Sequence, residues 1–237
     1  VTIFVGFESA NSYVKAVSSI PGSKTDIYLN TLTFVDEDES FDPFSGERYP
    51  DVYEVEMKNG EKIYCRVGFP LESEDQSTSP GDDIKRYESF EWKVESLIAV
   101  YRQISQGPDT KEFLCVGTGV PTKHSGNPDI IETIKKQLIG THTVNGRSFL
   151  IKDVAVIAQG ESTYYHELLN DRGEGNKPFV VRAKNSNLMY IDIGHGTTDF
   201  FHVQRLIPGK RSQTNGMSSV WEKLKRVAEQ KDSLFKS

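Results

Sequence analysis

The segment from Met189 to Phe201, Met-Tyr-Ile-Asp-Ile-Gly-His-Gly-Thr-Thr-Asp-Phe-Phe, constrains the chain more than any other. Apolar residues run straight into Asp-x-Gly-x-Gly-Thr-Thr-Asp. A buried strand is therefore expected to enter a tight glycine turn and to leave as a second strand. Glycines let a backbone approach a ligand closely, and the N–H groups of such a turn can point at phosphate oxygens. Asp192, at the strand end, is placed to hold a hydrated metal ion. An ordinary β-hairpin would also carry these residues, so the segment needs company before it means function.

The chain has 237 residues, enough for one large domain or two modest ones. Its formal net charge of −6 argues against a general nucleic-acid binder and against an anionic membrane surface. No uninterrupted apolar run is long enough to span a bilayer. Val1 to Phe7 is apolar but has neither a basic leader nor a small-residue cleavage site, so it does not read as a signal peptide. Cys65 and Cys115 make neither a disulfide framework nor a zinc site, and each sits in an apolar stretch suited to a buried thiol. A reducing cytoplasm fits this composition.

Read along the chain, Thr2 to Phe7 and Tyr13 to Val17 are strands joined by the small, polar link Glu8-Ser-Ala-Asn-Ser12. Thr25 to Val35 continues with β-type residues. Asp36 to Asp42 is an acidic loop, and Val52 to Gly68 is a hairpin turning at Asn59-Gly60. Leu71 to Asp83 reads as a loop. Ile84 to Ile104 has one apolar stripe at helical spacing and is expected to be a single helix. Phe113 to Val120 is a buried strand. Asn127-Pro128 caps a helix running to about Leu138. A hairpin at Asn145-Gly146 leads to a strand ending at Ala158, and Glu161 to Asn170 is a short helix. Leu188 to Ile193 and Thr198 to Gln204 flank the opening motif. Gly216 to Phe235 is a last helix.

Near each end of the chain, then, a strand carries an acidic residue into a turn of small residues and out into another strand. The first is Gly6-Phe-Glu8-Ser9-Ala10-Asn11-Ser12-Tyr-Val-Lys15; the second is Asp192-Ile-Gly194-His195-Gly196-Thr197-Thr198-Asp199. Between them lies Val-Ile-Ala-Gln159-Gly-Glu161. This order resembles the actin, sugar-kinase and DnaK-type chaperone superfamily. With Asn-Ser-Tyr-Val-Lys after the first turn and Gly-Thr-Gly-Val-Pro at 117–121, it is most similar to ParM-type actin-like proteins, which segregate plasmids.

The resemblance implies an α/β (mixed α+β) fold, actin-like and ribonuclease H-like, with a mixed β-sheet and flanking helices. It implies a first domain over 1–170, with an outer β subdomain at about 36–83, and the start of a second domain over 171–237. In that family the two turns clamp a nucleotide's phosphates from opposite sides. The phosphate-binding residues would be Ser9, Ala10, Asn11, Ser12, Lys15, Gly194, His195, Gly196, Thr197 and Thr198. Glu8 and Asp192 would stand near the metal. Gln159 would orient the attacking water, with Glu161 as its rival, and Gly216 would lie near the nucleotide sugar. The family pattern Gly-x-Asp-x-Gly is here Gly6-Phe7-Glu8-Ser9-Ala10, a longer acid and a bulkier turn residue.

The function so implied is an ATP- or GTP-hydrolysing protein using Mg2+ that polymerises head to tail, with a DNA-binding adaptor as its further partner. Direct contact with nucleic acid or membrane is not expected. The adenosine-binding glycines are expected beyond Ser237, so weak nucleotide binding is expected of these 237 residues. Two alternatives stay open: a small-molecule kinase of the same superfamily, using Glu161 as base, and an actin-like scaffold that has lost hydrolysis.

Overall fold

In the computed structural model, residues 2–10, 12–69, 84–108, 113–170, 173–194, 198–204, 207–213 and 217–231 are described. The chain divides into two compact units. The first comprises Val1–Gly119 and Asn127–Val156; the second comprises Val120–Gly126 and Ile157–Ser237.

The first unit is built on strands β1 (Thr2–Ser9), β2 (Tyr13–Ser18), β3 (Asp26–Leu29), β4 (Leu32–Val35), β5 (Val52–Glu56) and β6 (Lys62–Val67). Helix α1 (Phe90–Ile104), strand β7 (Phe113–Val120), helix α2 (Pro128–Leu138) and strands β8 (Gly140–Val144) and β9 (Arg147–Ala158) follow. The strands make one nine-stranded sheet in the order β3-β2-β1-β7-β9-β8-β5-β6-β4. β1 pairs antiparallel with β2 and parallel with β7, so the sheet is mixed. Period-2 alternation places Ile3, Val5, Phe7 and Ser9 of β1 inward, and Leu114, Val116, Thr118 and Val120 of β7 likewise. The inward row of β1 thus ends on a hydroxyl.

α1 packs against strands β1, β2 and β8 of the sheet and against α2. It is buried almost all round: Trp92, Val94, Leu97, Ile98, Val100 and Ile104 are in the core, and so are Glu95, Ser96 and Gln103. Gln103 reaches across to donate to the Ala16 carbonyl at 3.1 Å, which ties the helix to β2. The single helix expected over 84–104 is broken. A 3-10 turn spans Ile84–Glu88, and α1 starts afresh at Phe90 because the Ser89 hydroxyl accepts from the Trp92 N–H at 3.2 Å. The Asn127 cap and the Asn145-Gly146 turn form as expected, the latter with φ of 50° and 73°. Cys65 is buried and its thiol is pushed up to about 12 by desolvation, whereas Cys115 is only half-buried.

The second unit holds helices α3 (Gln159–Leu168) and α4 (Lys177–Asn185), strands β10 (Asn187–Ile193), β11 (Thr198–Gln204) and β12 (Ile207–Gln213), and helix α5 (Met217–Lys231). The strands form an antiparallel sheet in the order β10-β11-β12. α3 and α4 cover one face of it. The core there is a small aromatic cluster of Tyr164, Phe179, Phe201, Ala183 and Val203, flanked by Leu168, Leu188 and Tyr190. The Tyr164 ring lies 5.7 Å from Phe201 and 5.9 Å from Phe179, centroid to centroid. Among the described residues no helix is long and apolar enough to cross a membrane.

Candidate functional site

In the first unit β1 runs to Ser9, two residues past the expected strand end at Phe7, so residues 10–12 join it to β2 where the sequence reading expects a Glu8–Ser12 link. The Ala10 N–H donates to the Tyr13 carbonyl at 3.1 Å, and the Asn30 N–H donates to the Ser12 carbonyl at 3.0 Å. Glu8 and Lys15 stand directly opposite each other across the pair, and their side chains meet at 3.3 Å. The Lys15 side chain is half exposed, so the ion pair contributes little and can be exchanged readily. Lys15→Ala is accordingly expected to lower unfolding free energy by less than about 1 kcal/mol; a loss of several kcal/mol in denaturant unfolding would show the pair to be structural.

Ser9 is buried, and its side chain turns inward rather than out of the turn. Its hydroxyl donates to Glu95 Oε2 on α1 at 2.5 Å. Two more buried side chains grip the same turn from behind. Arg86 Nη2 donates to the Ser9 carbonyl, and Asn30 Nδ2 donates to the Ala10 carbonyl and, at 3.3 Å, to Ser9 Oγ. Burial pushes the Glu95 carboxyl up to about 7, against the downward pull of the Ser9 hydrogen bond and the Arg86 guanidinium. The sequence reading missed all three residues. Glu95 sits inside a strongly apolar helix, and that position was the available signal; Asn30 and Arg86 carried none.

In the second unit β10 and β11 pair in register, with Asp192 opposite Asp199 and Ile193 opposite Thr198. Gly194 therefore begins the hairpin turn where the motif places it. Directly opposed residues of an antiparallel pair point to the same face. Asp192 and Asp199 thus share the face that carries Tyr190 and Phe201, the one α3 packs on; Asp199 is buried and Asp192 exposed.

α3 opens at Gln159, not at Glu161, and its cap residue Ala158 has no side-chain cap bond. A Cβ added at Gly160 would lie 3.0 Å from the Phe201 Cβ. Phe201 Cβ is fixed to a strand and cannot swing away, so the absence of a side chain at 160 lets the start of α3 approach β11. Gln159 is half-buried immediately before this contact, and Asp199 lies two residues along β11 from Phe201. Glu161 Oε1 accepts from the Tyr165 hydroxyl at 3.2 Å, one turn down the same helix. At the other side of the turn, the Met217 N–H at the start of α5 donates to the Gly194 carbonyl at 2.9 Å. A helix N-terminus, which favours anions, therefore abuts the second turn.

The structure thus gathers the expected residues into two sets, one in each unit. Glu8, Ser9, Ala10, Ser12 and Lys15 belong to the first. Gln159, Glu161, Asp192, Gly194 and Thr198 belong to the second, and Asp199 joins them. Asn11, His195, Gly196, Thr197 and Gly216, like the loop from Leu71 to Asp83, lie outside the described residues. Each unit offers hard carboxylate oxygen of the kind a divalent cation takes, Glu8 in the first and Asp192 and Asp199 in the second, and among the described residues no three His, Cys, Asp or Glu side chains gather into a metal site.

No family model and no curated protein matches this sequence. Solved structures do match its fold. An apo pSK41 ParM aligns with a TM-score of 0.72 at 15% identity, over 97% of this chain and 70% of that one. The actin-like protein Alp7A aligns at 0.68 and 16%, over 95% of this chain and 64% of its own. A ParM from a 15-stranded filament of Clostridium botulinum aligns at 0.65 and 17%, over 97% and 69%. A Bacillus thuringiensis ParM solved with ADP aligns at 0.57 and 15%, over 97% and 65%. The chain has an actin-like fold of the ParM type, as the resemblance implied.

Proposed function

We propose that this chain belongs to a nucleotide-dependent actin-like protein that binds and hydrolyses ATP or GTP with Mg2+ and assembles head to tail into filaments serving plasmid or DNA segregation. One observation carries the reading: two hairpin turns, each with a carboxylate on the strand entering it, lie in a fold shared with filament-forming ParM proteins. Domains at 1–170 and 171–237, an outer subdomain at about 36–83, a cytoplasmic site of action and a DNA-binding adaptor as partner complete the proposal.

The chemistry follows from the residues. A polyphosphate concentrates negative charge, and the turn amides around Ala10 and Gly194, the α5 N-terminus and Lys15 supply positive potential. Glu8 and Lys15 pair with each other here; nucleotide would separate them, the ammonium turning to phosphate and the carboxylate to the cation's water. The carboxylates beside each turn, Glu8 in one unit and Asp192 with Asp199 in the other, would be the residues to hold Mg2+ directly or through water, and the ion would supply neutralising charge to a polyphosphate. Gln159 orients the lytic water with an amide that both accepts and donates, which aims the nucleophile without removing its proton in advance. Ser9, whose hydroxyl is bonded to Glu95, contributes its backbone. The kinase alternative needs Glu161 as a base, and that carboxylate already accepts from Tyr165 on its own helix.

The test is phosphate release and sedimentation of the protein with Mg-ATP and Mg-GTP. Gln159→Ala is expected to slow phosphate release at least about tenfold while nucleotide binding changes little. Release unaffected by that substitution would remove Gln159 from the mechanism. Transfer of phosphate to a small alcohol, with no assembly, would favour the kinase.

A further inference from the structure

The first turn lacks what usually fixes such a turn. Between β1 and β2 the segment Glu8-Ser-Ala-Asn-Ser12 contains no glycine. Its described atoms are held by side chains from three other places in the first unit. Asn30 follows β3, Arg86 lies in the turn before α1, and Glu95 lies on the second turn of α1 itself. Glu95 takes the Ser9 hydroxyl, Arg86 the Ser9 carbonyl, and Asn30 both the Ala10 carbonyl and the Ser9 hydroxyl. All three are deeply buried, at 3%, 5% and 5% exposure in that order.

Burying an acid, a guanidinium and an amide together is costly, and apolar side chains of similar volume would usually stabilise such a site as well or better. Stability alone therefore gives little reason for this group, whereas accuracy of the turn does. Ser9 is placed by the pleat as the last inward residue of β1, where its hydroxyl meets Glu95 of α1.

We infer that Glu95, with Asn30 and Arg86, is a positioning residue for nucleotide: through Ser9 it holds the first turn in the form that receives the polyphosphate. The role rests on the nucleotide reading given above. Glu95 touches no substrate; it acts on the backbone of Ser9 and Ala10. A glycine-free turn gains from this support the rigidity that a tightly determined backbone would otherwise provide.

The experiment compares native protein with Glu95→Ala, Glu95→Gln, Ser9→Ala and the Ser9→Ala/Glu95→Ala double variant. Mg-ATP and Mg-GTP affinities are measured by calorimetry, and backbone amide exchange is followed over residues 9–13. Circular dichroism confirms that each variant is folded. Glu95→Ala is expected to weaken nucleotide binding about tenfold and to speed exchange in the turn by a similar factor, the usual size of a lost buried hydrogen bond. Glu95→Gln keeps an acceptor for Ser9 and is expected to stay within about threefold of native. Ser9→Ala removes the same bond and also the one that Ser9 Oγ accepts from Asn30, so it should be at least as weak as Glu95→Ala, and the double variant should be no worse than Ser9→Ala. Native protein that binds neither nucleotide would overturn the functional reading itself. Native protein that binds, with Glu95→Ala within about twofold of it, or with Glu95→Gln as weak as Glu95→Ala, would overturn the role of Glu95 alone.

Discussion

Phe201→Ala is expected to destabilise the second unit by about 3–5 kcal/mol, the range for emptying a buried aromatic site. Phe201 is 1% exposed and is the centre of a small cluster; Tyr164 and Tyr190 lie 5.7 and 6.1 Å from it, centroid to centroid. Few other core residues can close over the space. The consequence reaches the candidate site, because α3 rests on this strand: Gly160 approaches the Phe201 Cβ, and Gln159 precedes it. Denaturant unfolding, with Tyr and Trp fluorescence as probes, should show an early transition for the second unit in the variant. A loss under about 1 kcal/mol would mean that α3 is not seated on β11 through Phe201.

The same contact explains what the sequence could and could not say about Gln159-Gly160-Glu161. The family resemblance implies a water-orienting glutamine at Gln159, and its place directly after a strand ranks it above Glu161. That a glycine must separate them was invisible, since the reason is a strand far along the chain. The helix itself starts two residues earlier than its polar, poorly periodic sequence suggested, because packing on β10 and β11 outweighs local preference.

Other features divide in the same physical way. Elements whose signal is local were legible: the Asn127-Pro128 cap, the Asn145-Gly146 turn and the strands on either side of both turns, although β10, expected to be buried, is half-buried or exposed along its length. α4 was missed because Val180 and Val181 give it β-type residues and its short run shows no clear period, although Pro178 stands near its start. β12 was missed because Pro208 and Gly209 normally break strands. It is an edge strand of its sheet, where a missing N–H can face outward. The split at Ser89 was concealed by an apolar stripe continuing through it; the serine cap was the sign. The actin-like fold was legible from the order of two turns and the segment between them, but the support behind the first turn was not. Glu95 alone carried a signal, an acid inside an apolar helix, and its partner in the turn could not be read from sequence.

Glu95 also gives the second large expected effect. Glu95→Gln should stabilise the protein relative to native by about 3 kcal/mol above neutrality, and by progressively less as pH falls toward 4.5. The sign follows from the direction of the shift. The unfolded chain ionises this carboxyl near its ordinary value of 4.5, whereas the folded chain holds the proton until about 7. Between those values the folded state binds more protons than the unfolded one, so stability falls as pH rises. The favourable contribution is complete below 4.5 and is lost through 7, because ionising the buried carboxyl in the fold costs more than ionising it in water. The charged group facing it is Arg86, which pulls the other way without overcoming burial; the neighbouring Tyr28 phenol is raised well above its ordinary value and stays neutral throughout. Glutamine has no proton to lose and still accepts from Ser9. Unfolding free energies of the two proteins, followed from about pH 5 to about pH 8, should therefore diverge steadily and level off above neutrality. Parallel curves would mean that the carboxyl is paired strongly enough to stay ionised throughout. Divergence would place a group that changes charge near neutrality directly behind the turn proposed to receive phosphate, so nucleotide affinity of the native protein should vary over the same pH interval while that of the glutamine variant should not.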